Sequence, residues 1–223
     1  MKLVSTDWEG AIYPGEGGVP ILSIENEAYL YETFMSLYDA MQAGSTRYVL
    51  SANGKEINMK KSFLLIGSPM DINPNDRKLL TALYKKLRDM AYDESHLTET
   101  TERCGDLVRY INHLTMDYDL PLTYEPDIDM TELFKIFHVQ VESDGETLAE
   151  RMLTFMKSWV SLCGDTCFCF SRFRDFLLPE VRCEFYKNAM EEDLKFFLLE
   201  GICHDIIEPE DIFIIDKDLC QIF

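Results

Sequence analysis

The run TCFCFSRFRDFLLPEVRCEFYKNAMEEDLKFFLLE, residues 166–200, carries the strongest architectural signal in the chain. TCFCFS is a short, almost wholly apolar run with strand character. PEVRCEFYKNAME reads as a helix opened by Pro179, whose missing N–H costs nothing at a first helical position. LKFFLLE is a second strand candidate, although an apolar run of that length can also be helix. Strands alternating with helices imply right-handed crossovers and a largely parallel sheet.

The alternation extends both ways. Upstream, HVQVE (138–142) reads as a strand, and Ser143-Asp144-Gly145-Glu146 reads as a capping box for a helix to about Val160. Downstream, IFIID (212–216) is the last strand. Near the start, KLVST, GAIYP and VPILSI are short strands separated by the turn residues of Trp8-Glu9-Gly10 and of 14–18. NEAYLYETFMSLYDAMQA has Leu30, Phe34, Leu37 and Met41 on one helical face. Residues 47–61 form a hairpin-like stretch around Asn53-Gly54, and SFLLIG (62–67) is a buried strand. Asn73 then caps a helix with Pro74 at its first position and an end near residue 92, and another helix spans about 99–116. The expected fold is α/β: a head with a mostly parallel sheet at 1–72 and 134–223, carrying a helical leg insertion at 73–133.

Composition supports a folded chain. The 223 residues are 47% hydrophobic, 12% aromatic and 27% charged, with a net charge of −19, which is not the profile of a disordered protein. No apolar run approaches the roughly 20 residues of a membrane span, and MKLVSTDWEG does not read as a signal peptide. Seven cysteines, an odd count, with no export signal point to a reducing cytoplasm. Cys163, Cys167 and Cys169 suggest zinc, but reduced buried thiols account for CFCF better, since zinc sites usually pair two separated ligand elements. Charge is strongly segregated. Residues 47–88 hold nine Lys/Arg against three acids, residues 89–132 two against twelve, and residues 191–223 two against ten. The basic segment is either a solvated helix face or a surface for a polyanion, beside acidic patches suited to cations.

Most catalytic signatures are absent. Gly67-Ser68-Pro69-Met70 after the SFLLIG strand lacks the Lys and hydroxyl of a phosphate-binding loop, and there is no G-x-G-x-x-G. Asp71-x-Asn73-x-Asn75 begins like a calcium loop, but Asp76 replaces the required Gly and Ala82 the bidentate Glu, so a helix cap is the better reading. His96, His113, His138 and His204 are scattered and no G-x-S-x-G elbow occurs. The stretch 117–129 is more informative. Asp129 with Glu132 fits a helix cap, which leaves Glu125 and Asp127 crowded beside it. Hard oxygen ligands at such spacing suit calcium.

Several long segments, taken together, carry a resemblance: VPILSIEN, KKSFLLIGSPMDINPNDRKLLTALYKKL, LPLTYEPDIDMTELFKIFHVQVESDGETLAERMLTFMKSW and DIIEPEDIFIIDKDLCQIF. Over nearly its full length the chain resembles the type II-A CRISPR-associated adaptation proteins, the Csn-two family. The resemblance implies an α/β head distantly similar to P-loop NTPases, without working nucleotide residues or a Walker motif, and a helical leg. It also implies a non-catalytic homotetrameric ring that binds calcium and threads double-stranded DNA ends during spacer acquisition, alongside the integrase proteins and the effector nuclease. Carried onto this sequence, Glu125, Asp127, Glu132 and Glu142 are the calcium candidates. Lys55, Lys60, Lys61, Arg77 and Lys78 are the DNA candidates. Two other readings stand beside it: a diverged NTPase or nuclease using the clustered acids with magnesium, and an acidic scaffold that binds only proteins.

Overall fold

The structure is a computed structural model and describes residues 1–142, 145, 147–203 and 205–222. The chain forms two compact units, Met1–Pro74 with Ser143–Phe223, and Asn75–Glu142. In chain order the first unit holds β1 (Lys2–Ser5), β2 (Val19–Ile24), α1 (Glu27–Ala43), β3 (Tyr48–Ala52), β4 (Lys55–Ile57), the single turn α2 (Met59–Ser62) and β5 (Phe63–Ile66). The second holds α3 (Arg77–Ala91), α4 (Leu97–Met116) and α5 (Met130–Ile136). The first then resumes with α6 (Leu148–Cys163), β6 (Cys167–Ser171), α7 (Pro179–Glu191), β7 (Lys195–Glu200), β8 (Glu210–Ile215) and β9 (Gln221–Ile222).

Six strands form one sheet in the order β5-β6-β7-β2-β8-β9. All neighbours are parallel except β8 and β9. The remaining three form a small antiparallel sheet, β1-β3-β4. The parallel strands are apolar because both faces are covered. On one face Cys167, Cys169, Phe197 and Leu199 join Leu37, Leu50 and Trp8 in a core with α1 and the small sheet. On the other, Phe170 and Phe196 meet Phe173 and Phe185 at ring separations of 5.1–6.5 Å, and Phe155 on α6 meets Phe168 at 6.4 Å. Truncating one such ring to Ala costs about 3–5 kcal/mol.

Local chemistry explains most element ends. Asn26 Oδ1 accepts from Tyr29 N at 3.0 Å and caps α1. Asn53 and Gly54 both have positive φ, 52° and 72°, as a two-residue hairpin turn between β3 and β4 requires. Pro179 opens α7. The cap of α6 is a box made by Thr147 and Glu150; Ser143, Asp144 and Glu146, expected to form one, lie outside the described residues.

Three expectations change. GAIYP contributes only a bridge, Leu3 to Ile12. Asn73 does not cap α3: Asp76 does, accepting from Leu79 N at 2.7 Å. HVQVE is not a strand. His138 takes φ 50° just past α5, and Asn75 donates to the Val141 carbonyl and accepts from the Val141 N–H, both at 2.8 Å. One side-chain amide thus takes the two backbone groups that a neighbouring strand would have paired.

Candidate nucleic-acid interface and acidic segment

Lys55, Lys60 and Lys61 belong to the first unit. The tight turn places Lys55 directly opposite Ala52 at the head of β4. Asn58 Oδ1 accepts from Lys60 N at 2.9 Å and starts α2, while buried Met59 anchors that turn in the core. All three lysines are exposed. Arg77 and Lys78 belong to the second unit, exposed in the first turn of α3. The helix dipole disfavours cations at a helix N-terminus, so these two do not serve helix stability; Asp76 offsets part of the penalty as the cap.

Glu125, Asp127, Glu132 and Glu142 all lie in the second unit and all are exposed. Glu125 and Asp127 sit in the irregular stretch before α5. Asp129 caps α5, accepting from Thr131 N at 2.8 Å. Glu132 does not close a box with it; instead it accepts from Lys135 Nζ at 2.6 Å, which raises the lysine's pKa. Such an exposed pair is worth little, so a divalent ion can take Glu132 from Lys135 at small cost. Glu142 follows Val141, which Asn75 holds. The donor chemistry suits calcium. Among the described residues, however, no three His, Cys, Asp or Glu side chains come together as a metal shell, so these acids do not complete one within a single chain.

Residues not singled out from sequence occupy the ground beyond β6 and β7. Ligand sites in open parallel sheets form outside the carboxyl ends of strands. Here the chain's own groups fill that place. Ser23 Oγ donates to the Gly201 carbonyl at 2.6 Å. Glu200, 6% exposed at the end of β7, accepts from Arg174 N at 3.1 Å, and burial pushes its carboxyl up to about 7. The Arg174 guanidinium donates to the Asp205 carbonyl and lies 3.5 Å from Glu210. Glu210 opens β8, at the amino end of the parallel strands, and also accepts from Tyr186 Oη at 2.8 Å and Ile207 N at 3.0 Å. The one sequence signal was an acid ending the apolar run LKFFLLE. Elsewhere, Cys167 and Cys169 are fully buried, with thiols raised by burial, Cys167 to about 12. His96 and His113 pair at the surface with Asp93 and Asp117, and His138 is exposed. His204 lies outside the described residues.

Fold and surface together define a doubly covered parallel-sheet α/β protein with an inserted helical unit, segregated charge and its own side chains where many proteins of this architecture bind ligands. Residues 40–219 match the family model for CRISPR-associated protein (Cas_Csn2). The chain belongs to that family. Among solved structures it is similar to the crystal structure of Stu0660 of Streptococcus thermophilus. The TM-score is 0.56 and the identity 12%, over 100% of this chain and 76% of that one, a likeness of fold. No curated protein matches the sequence. No described helix is long and apolar enough to cross a membrane.

Proposed function

We propose that this protein works in the cytoplasm during CRISPR spacer acquisition as a non-catalytic ring of four copies. The ring binds the ends of double-stranded DNA without reading sequence and depends on calcium. It acts alongside the adaptation integrase proteins and the effector nuclease. The observation that carries the reading is the exposure of Lys55, Lys60 and Lys61 in one unit and of Arg77 and Lys78 in the other, in a chain of net charge −19. Such cations contact backbone phosphates, so binding is salt-sensitive and indifferent to sequence.

Two further features support assembly. The second unit exposes large apolar side chains, among them Tyr110 at 60%, Ile136 at 68% and Phe137 at 76%, more than an isolated surface ordinarily leaves in water. Among the described residues the carboxylates of Glu125, Asp127, Glu132 and Glu142 form no cluster of three, so a calcium shell built on them takes ligands from a second copy. Calcium then offsets the mutual repulsion of strongly acidic subunits.

Band shifts of one DNA fragment, linear or covalently closed, in calcium and then in chelator, test this. Retention of the linear form alone, lost with chelator, is expected. Equal binding of both forms refutes threading, and no binding of either refutes the DNA role.

A further inference from the structure

The loop between β1 and β2 and the paired strands β2 and β8 enclose a cavity of about 400 Å³. Trp8, Ile12, Tyr13 and Phe213 supply apolar and aromatic walls, and Glu9 and Asp211 stand among them. Strand register fixes Asp211 opposite Pro20 and Phe213 opposite Leu22, so the acid and the ring share one face of the β2–β8 pair. The loop is pinned by two hydrogen bonds between Leu3 and Ile12, both 2.9 Å, and by Glu9 N donating to Gln221 Oε1 at 2.6 Å.

The charges here divide into engaged and unengaged. Glu16, also lining the cavity, lies 3.6 Å from the Met1 amino group. Lys2 Nζ stands 5.7 Å from the centre of the Tyr13 ring, so that ring already receives one cation. Lys195, whose stem passes Gly15, pairs with Asp193. The carboxylates of Glu9 and Asp211 have no hydrogen-bond or ion-pair partner among the described residues. Nor does the indole N–H of Trp8, buried in the wall, have an acceptor among them; its ring packs on Tyr48 at 5.6 Å.

These groups select a ligand. An anion is repelled by the carboxylates, and a purely apolar group leaves them unused. A bare metal ion gains nothing from ring walls. A guanidinium gains from both: its flat face lies on aromatic surface and its edge donates to carboxylates in pairs. We propose that this cavity is a docking site for an arginine side chain presented by a segment of a basic protein partner. The guanidinium engages Glu9 and Asp211 over the Tyr13 and Phe213 rings. The indole ring of Trp8 lines the cavity while its N–H edge is covered by its neighbours, so the ring senses an occupant without bonding to it.

The chain has two tryptophans, so protein labelled with nitrogen-15 tryptophan gives two indole signals, with Trp159 on α6 as internal control. The probes are acetyl-Leu-Arg-Leu-amide and the same peptide with citrulline, which keeps the shape and removes the charge. The arginine peptide is expected to shift the Trp8 signal saturably and leave Trp159 in place. The citrulline peptide and the exposed-site double variant Glu9→Gln/Asp211→Asn should each bind roughly tenfold more weakly, reflecting lost charge-assisted hydrogen bonds. Overlaid spectra of the free proteins show that the variant is folded. Equal binding of the two peptides overturns the proposal, as does undiminished binding to the variant, which assigns the effect to diffuse attraction by the acidic surface. No Trp8 shift at millimolar arginine peptide overturns it as well.

Discussion

At the scale of single residues, Glu200 and the α2 lysines make opposite use of charge. Glu200 is buried, and its carboxyl rises from 4.5 to about 7, chiefly through desolvation, with Asp175 adding to the shift and Arg174 opposing it. A carboxyl whose pKa is raised on folding holds its proton more tightly in the folded chain. Its contribution to stability is therefore full at pH below the unfolded value and is lost as the pH rises through about 7. Glu200→Gln should melt with the parent near pH 5 and above it near pH 8, by no more than roughly 3 kcal/mol; equal melting at both pH values removes the assigned penalty. The lysines, by contrast, are exposed and free to meet phosphate. Lys60→Glu with Lys61→Glu should weaken binding to every DNA sequence alike and reduce the salt slope by about two, one per lost phosphate contact. Retained affinity at unchanged slope excludes these two side chains from the interface.

At the scale of elements, the strands buried on both faces were legible because a short, continuous apolar run between turn residues has to be covered on two sides. VPILSI, SFLLIG, TCFCFS, LKFFLLE and IFIID all appear as strands, and Asn53-Gly54 and Pro179 mark a turn and a helix start as their backbone preferences dictate. HVQVE misled because its alternation fits a half-buried strand, while the partner that prevents one, Asn75, lies 66 positions away. Asn73 and Asp76 are both good caps, and Asp76 is the one whose side chain accepts from Leu79 N. The same distance hid the Arg174–Glu210 pairing. The candidate acids and lysines were readable as composition; Glu142, expected outside the helical leg, lies within the second unit. Asn75→Ala removes both bonds to Val141 and should lower stability by about 1–3 kcal/mol, read as faster amide exchange at Val141 and along α5.

At the scale of the whole molecule, a net charge of −19 and acids that gather no metal shell among the described residues make the proposed assembly a matter of ions. Glu125→Gln with Asp127→Asn should raise the calcium concentration at which sedimentation shows the four-copy species, roughly tenfold for a shell that loses two charged ligands. Unchanged calcium dependence moves the ion to other residues. The strand order has a separate consequence, for biosynthesis. β2 lies between β7 and β8, and Ser23 bonds to Gly201, 178 positions later. At about 5–20 residues per second, the ribosome leaves VPILSI without either flanking strand for roughly 10–35 seconds. The sheet therefore closes late, and the nascent N-terminal half is a natural client for chaperones that shelter unpaired apolar strands.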